Sequence, residues 1–272
     1  MALKAAVHIE TALRDGKTFL KNSFCDAPFK LGDVTEDKSK KGLHLMLMSS
    51  SPGILDGDEY SFQIRLGEGT ATALQTQSYQ RIFQMKKGAA QRMNINLEAG
   101  TSFVYLPHPV VPHKDSSFTS RSRISLTDRC SLIWGEVISC GRKLNDEIFQ
   151  FTSFHSTMEI YRNECLIVKE NVFIKPAEMN LAGLGQMEGY THQASFLYIN
   201  DSASVDELIN RLAADLESSV DIGFGISALP ANGFVLRLLG FKAEQLFILL
   251  QRIAAFVQLS APFVVSKAKA RV

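Results

Sequence analysis

A turn sequence recurs along this chain at nearly constant spacing, and that recurrence narrows the possible folds more than any other feature. Leu66-Gly-Glu-Gly-Thr70 is echoed by Leu97-Glu-Ala-Gly-Thr101 and, more faintly, by Leu126-Thr-Asp-Arg-Cys130, with starts separated by 31 and then 29 residues. An alternating run precedes the first two turns. Tyr60, Phe62, Ile64 and Leu66 alternate with Ser61, Gln63 and Arg65, and Met93, Ile95 and Leu97 alternate with Asn94, Asn96 and Glu98. Alternation with period two places the apolar set on one face of an extended strand. A period near thirty residues points to stacked units, each burying its face on the next. The expected fold class is mainly β: a helical, solenoid-like coil of short β-strands with about two α-helices near the C-terminus.

The stretch from Ser51 to Phe83 shows the unit in full: turn signals at Pro52-Gly53 and Gly57-Asp58, a half-buried strand, another turn, then Thr70 to Phe83. Upstream, Ala6 to Thr11 and Lys17 to Phe24 flank Asp15-Gly16, a hairpin signal. Asp33 to Lys41 is a charged loop and His44 to Met48 a short apolar segment. Phe103 to Leu106 and Leu132 to Cys140 continue the β pattern. The apolar parity slips between Phe149 and Tyr161, which predicts a bulge or corner near Ser153. Glu159 to Arg162, Leu166 to Lys169 and Asn171 to Lys175 are expected strands, with Asn163-Glu164 as a turn, before a glycine-rich loop from Met179 to Gly189. Ser204-Val-Asp-Glu207 fits a capping box for a helix with Leu208, Leu212 and Leu216 on its buried stripe. A hairpin turning at Pro230-Ala-Asn-Gly233, a helix over Lys242 to Leu259 and a basic tail from Ser266 complete the chain. We expect one domain, residues 1–272, with a β-coil region (1–200) and a helix-hairpin-helix region (201–272).

Lys and Arg total 29 and Asp and Glu 28, a formal charge of +1. That balance gives no electrostatic footprint for nucleic acid or an anionic membrane, so a protein or small-solute partner is expected. The four cysteines show no CxxC spacing and the N-terminal residues no apolar leader, which predicts a reduced, cytoplasmic protein. The apolar run Leu246 to Leu250 is broken by Gln251 and Arg252, far short of a membrane span.

No nucleophile, base and orienter share a recognisable spacing, so no catalytic residue is assigned. His108 and His113 lie in a loop whose imidazoles suit a divalent transition metal, although Pro107, Pro109 and Pro112 already account for it as a rigid edge connection. Cys130 and Cys140 flank Trp134 and fit small buried hydrophobes better than metal ligands. Asp58, Glu136 and Glu170 are lone acids within β-like segments. A carboxylate pointing inward is costly unless solvated or paired, so such residues mark a wet interior; the alternative has Asp58 closing a turn and both glutamates facing solvent. Phe247 and Phe256 widen the stripe of the last helix and are candidate partner anchors, with core packing as the competing role.

Several segments, in order, resemble the urease accessory protein UreD family, called UreH in some bacteria. They are SPGILDGD with its following strand, LGEGTATALQTQSYQRIF, LEAGTSFVYLPHPVVPHKDSSF, WGEVISCGR, MEIYRNECLIVKENVFI and GFVLRLLGFKAEQLFILLQRI. The resemblance implies a non-catalytic maturation chaperone that binds UreF and apo-urease, acts with the GTPase UreG, and delivers nickel as transient cargo with no tightly bound cofactor. It implies a polar internal passage, placed here at Asp58, Ser78, Glu136 and Glu170, with Arg81 and Arg142 at family positions as ion-pairing partners. Two readings compete: a β-coil carbohydrate-active enzyme, which needs paired carboxylates across one cleft, and a structural adaptor without a metal passage.

Overall fold

A computed structural model of the chain describes residues 2–37, 39, 41–201 and 205–260. Lys4–Arg14 (β1) and Lys17–Cys25 (β2) form a hairpin, followed by Phe29–Asp33 (β3) and Leu43–Ser49 (β4). Glu59–Leu66 (β5), Ala71–Thr76 (β6) and Gln80–Ile82 (β7) are succeeded by Ala89–Leu97 (β8), Ser102–Tyr105 (β9) and Val110–Pro112 (β10). Ser117–Leu126 (β11), Ser131–Ser139 (β12), Ser153–Arg162 (β13), Cys165–Ile174 (β14) and His192–Asn200 (β15) continue the chain. Asp206–Glu217 (α1), Gly223–Leu229 (β16), Gly233–Gly240 (β17) and Ala243–Ser260 (α2) complete it.

The strands form two sheets. One runs β14-β13-β11-β8-β5-β1-β2; the other runs β16-β17-β15-β12-β9-β6-β4-β3, with β7 and β10 attached. In the first sheet β1, β5, β8, β11 and β13 are parallel, and the hairpin strands β2 and β14 close its two edges antiparallel. The structure is therefore mainly β with two helices near its C-terminus. Its sheets are open rather than closed into a solenoid, so the expected coil is not established by them.

Register explains the recurring sequence. Ile9, Ile64, Ile95, Ile124 and Ile160 lie side by side across five parallel strands, and each is at most 3% exposed. The three echoed turns also superimpose in the ladder, since Leu66 pairs with Leu97 and Leu97 with Leu126. Each turn has a left-handed residue at its fourth position: Gly69 (φ 69°), Gly100 (φ 69°) and Arg129 (φ 58°). The turns are stitched together by Gly69 N–H to Ala99 O and Gly100 N–H to Asp128 O. Thr70 Oγ1 donates to Gly67 O and Thr101 Oγ1 to Glu98 O, each within its own turn, whereas the equivalent Cys130 Sγ lies 3.3 Å from Glu98 O of the preceding repeat. The β1–β2 hairpin turns through Asp15 and Gly16, both at positive φ, as the Asp-Gly signal predicts.

The parity slip is a corner, because β13 begins at Ser153 and Phe149, at φ 52°, belongs to the preceding turn. Glu159 to Arg162 is the end of β13. Leu166 to Lys169 and Asn171 to Lys175 merge into the single strand β14, and Asn163 and Glu164 both sit at positive φ in the turn between them. The strand β3 carries too weak an alternation to be expected from sequence. The capping-box Ser204 and the basic tail lie outside the described residues; the residue preceding α1 is Val205, which makes no side-chain cap.

Two cores result. The first fills the space between the sheets and includes the isoleucine ladder, Phe103 and Trp134. The second lies on the opposite face of the second sheet, where Phe196, Phe234, Leu236 and Leu238 meet Leu208, Leu212 and Leu216 of α1 and Leu246, Leu250 and Ile253 of α2. Each helix thus buries one stripe against the sheet.

Gly100→Ala places a Cβ on a left-handed residue and is expected to lower stability by about 1 kcal/mol. Gly225 in β16 has neither positive φ nor any atom within 4 Å of a built Cβ. Gly225→Ala should therefore be neutral or stabilising in the same denaturant titration.

Candidate functional site

The first core is interrupted by a polar band. On the first sheet Tyr60, Gln91, Ser120 and Ser156 are in direct register across β5, β8, β11 and β13, at intervals of 31, 29 and 36 residues, and all are buried. On the facing sheet Glu136, Ser195 and Arg237 are in register across β12, β15 and β17. Glu136 shares the inward parity of Trp134 and Ile138, and Arg237 that of Val235 and Leu239.

Two neighbouring cavities occupy this band. One, of about 90 Å³, is walled by Tyr60, Thr76, Ser78, Gln80, Gln91 and His108 among others. The next, of about 50 Å³, adds Glu136, Ser120, Ser156, Gln193 and Ser195. Both include Gln80, Gln91, Tyr105, Pro107 and His108 in their walls. These residues are common to the walls of both spaces, and each space is large enough to admit water. Gln80 Nε2 donates to Gln91 Oε1 at 3.4 Å, linking the sheets at the shared wall. His108 is fixed beside it: its backbone N–H donates to Thr76 Oγ1 at 2.8 Å, its Nδ1 lies 3.3 Å from the same hydroxyl, and its ring sits 4.7 Å from that of Phe247. Burial lowers the His108 pKa.

Glu136 is the electrostatic centre of the band. Burial raises its pKa from 4.5 to about 7, the Trp134 indole N–H opposes the shift, and the Glu170 carboxylate adds to it. The surface that Glu136 retains faces the cavity. Trp134 Nε1 is itself buried without a hydrogen bond of ordinary geometry. Glu170, opposite Met158 on β14, forms an ion pair with Arg237.

The sequence-predicted residues are thus sorted. Ser78, His108 and Glu136 line the cavities; Glu170 lines neither, and its link to them is its charge on Glu136. Asp58 does not line either cavity. It is fully buried at a turn, where its carboxylate accepts from Leu3 N–H (2.9 Å), Leu55 N–H (2.9 Å) and Tyr60 O–H (2.8 Å), so it stands behind a cavity-wall tyrosine. His113 is outside the band, its ring 4.8 Å from that of Phe83. Arg142 pairs with Glu147 and not with the three acids, and Arg81 is exposed. Phe247 is buried in the second core, and Phe256 packs against that core with its ring 5.0 Å from the Arg211 guanidinium. Cys130 and Cys140 are both buried. Among the described residues no three His, Cys, Asp or Glu side chains group as a metal-binding set, and no helix is long and apolar enough to cross a membrane.

Sequence reasoning missed Gln91, Ser120, Ser156, Ser195 and Arg237. Stepping from Tyr60 by the repeat intervals of 31 and 29 leads to Gln91 and Ser120, so the signal was present in the period.

The model of the UreD urease accessory protein family matches residues 3–271. The chain belongs to that family. Among its relatives, the urease accessory protein UreD of Flavobacterium johnsoniae is 44% identical over 242 residues, covering 89% of this chain and 87% of the relative. The proteins of that name from Acetivibrio thermocellus and Haemophilus influenzae are each 37% identical, covering 89% of this chain and 93% and 94% of the relatives.

Two outcomes separate the acids of this UreD-family chain. Glu136 carries a raised pKa, so the folded state keeps a proton that the unfolded chain gives up. The resulting stability is complete below about pH 4.5 and is lost as the pH rises through about 7. Glu136→Gln should therefore raise stability at pH 8 by about 2 kcal/mol, an advantage that shrinks toward pH 5 in thermal melts. Asp58→Ala leaves two N–H groups and a phenol without their acceptor. It should destabilise by roughly 3 kcal/mol in denaturant titrations.

Proposed function

We propose that this chain is a non-catalytic urease maturation factor that binds UreF and apo-urease and shields nickel on its way into the enzyme. The carrying observation is the pair of neighbouring cavities between the sheets, whose largely apolar walls carry Ser78, Gln80, Gln91, Ser120, Ser156 and Glu136, with Glu170 outside them and within charge range of Glu136. Family membership supports the role, and the cavity chemistry supports the passage. Serine hydroxyls, glutamine amides and water are weak, exchangeable oxygen ligands, so a hydrated Ni²⁺ is accompanied without being trapped. Glu136 and Glu170 supply the band's two carboxylates, of which Glu170 is countered by the Arg237 guanidinium. The residues of the route are Ser78, His108, Glu136 and Glu170, with Asp58 holding Tyr60 in its wall.

The parallel pairing of residues about thirty apart supports reading residues 1–200 as a β-coil within a single domain. The GTPase UreG joins through the complex and supplies the switch. Four free cysteines support a reducing cytoplasmic setting. A sugar-cleaving reading requires two carboxylates across one open cleft, whereas Glu170 is tied to Arg237 and Glu136 faces an interior cavity.

The test is urease matured in cells carrying the Glu136→Gln, Glu170→Gln double variant, with nickel per active site measured by metal analysis and the accessory complex checked by copurification. Nickel content should fall several-fold while the complex still assembles. Full nickel loading with an intact complex removes the passage and leaves the adaptor reading.

A further inference from the structure

The Glu170–Arg237 ion pair stands at the margin of the polar band, one register position beyond the cavity-lining Ser195. Glu136, Ser195 and Arg237 are consecutive in-register positions on β12, β15 and β17. Arg237 reaches across from the second sheet to Glu170 on β14 of the first. The Glu170 side chain is 17% exposed and that of Arg237 49%, so the guanidinium is the more solvated partner and covers the carboxylate from outside. On the inner side Glu170 is close enough to Glu136 for the two charges to be felt.

We propose that Arg237 is a resident, exchangeable plug: it holds the Glu170 carboxylate when no metal is present and is displaced in competition with a divalent cation that takes that carboxylate. The inference rests on the passage described above and names its regulation. A guanidinium has five N–H donors, no lone pair for a metal and a permanent positive charge. It therefore competes with Ni²⁺ for the Glu170 carboxylate by charge, and its departure from Oε2 strengthens the hold of that carboxylate on a cation. A half-exposed pair of this kind is a weak interaction, which suits a contact that opens and closes on each transfer. When closed it also supplies the counter-charge that two neighbouring carboxylates need in a low-dielectric interior.

The experiment titrates the purified full-length chain with Ni²⁺ against a competing chromophoric chelator. Arg237→Met should tighten nickel binding by about tenfold, equivalent to about 1.4 kcal/mol. Arg237→Lys, which keeps the charge, should remain near the parent value. Adding Glu170→Gln to Arg237→Met should abolish the gain. Unchanged affinity in Arg237→Met, or a gain that persists with Glu170→Gln, overturns the plug. Where Arg237→Met does not give a parent-like circular dichroism spectrum, Arg237→Gln takes its place with the same expected gain. The passage is judged separately, by the nickel content of urease matured with the double carboxamide variant, so the plug can fail while the passage stands.

Discussion

The structure depends on a backbone ladder in which a strand's neighbour is the strand one repeat further along the chain. Parallel pairing at intervals near thirty residues brings equivalent positions side by side, so the side chains of successive repeats stack like on like. The isoleucine row shows this in its apolar form: five β-branched side chains, adjacent on parallel strands, pack without any long-range coincidence of sequence being required. The left-handed corners keep the row in register. Gly69, Gly100 and Arg129 reverse the chain at the same level, and the N–H groups of both glycines bond to the turn of the next repeat. A slip of one residue would turn every isoleucine to solvent.

The same constraint that stacks isoleucines also stacks polar residues. Tyr60, Gln91, Ser120 and Ser156 occupy one row because they occupy one place in the repeat, and a row of buried polar groups costs free energy unless it finds partners or water. The second sheet answers it with Thr76, Glu136, Ser195 and Arg237 across the gap. Volume is left over between them, which is the physical content of the two cavities. A polar band crossing the strands thus follows from register rather than from any local motif, and burial together with the nearby Glu170 carboxylate raises the Glu136 pKa at its edge.

Much of this was legible in the sequence where the signal is local. Alternation located β5 and β8, the apolar segment around Trp134 located β12, the Asp-Gly and Asn-Glu pairs located two hairpin turns, and helical spacing located α1 and α2. The partners of the C-terminal hairpin were not legible. Nothing in residues 223–240 states that β17 pairs with β15, although that pairing carries the second sheet outward and gives both helices a face to cover. Phe247 shows the consequence: its stripe looked wide enough for a partner, but the sheet beneath it and His108 beside it absorb the excess. The polar band was half legible, since lone acids flagged Glu136 and Glu170 while the serines and glutamines around them look like ordinary strand residues until the repeat interval is applied.

Asp58 marks the difference between a residue on a route and a residue that builds one. Its carboxylate is engaged by three donors from Leu3, Leu55 and Tyr60, which ties the start of β1 to the turn before β5 and orients the Tyr60 ring. Those contacts satisfy the charge that made it conspicuous as a lone acid. Glu136 has no comparable set of donors, and Glu170 has a half-exposed one in Arg237. A carboxylate already saturated by backbone N–H groups has little to offer a passing cation, whereas one held by a solvent-facing guanidinium exchanges partners readily. The distinction between structural and functional acids in this fold therefore lies in what satisfies each carboxylate, and burial alone does not supply it.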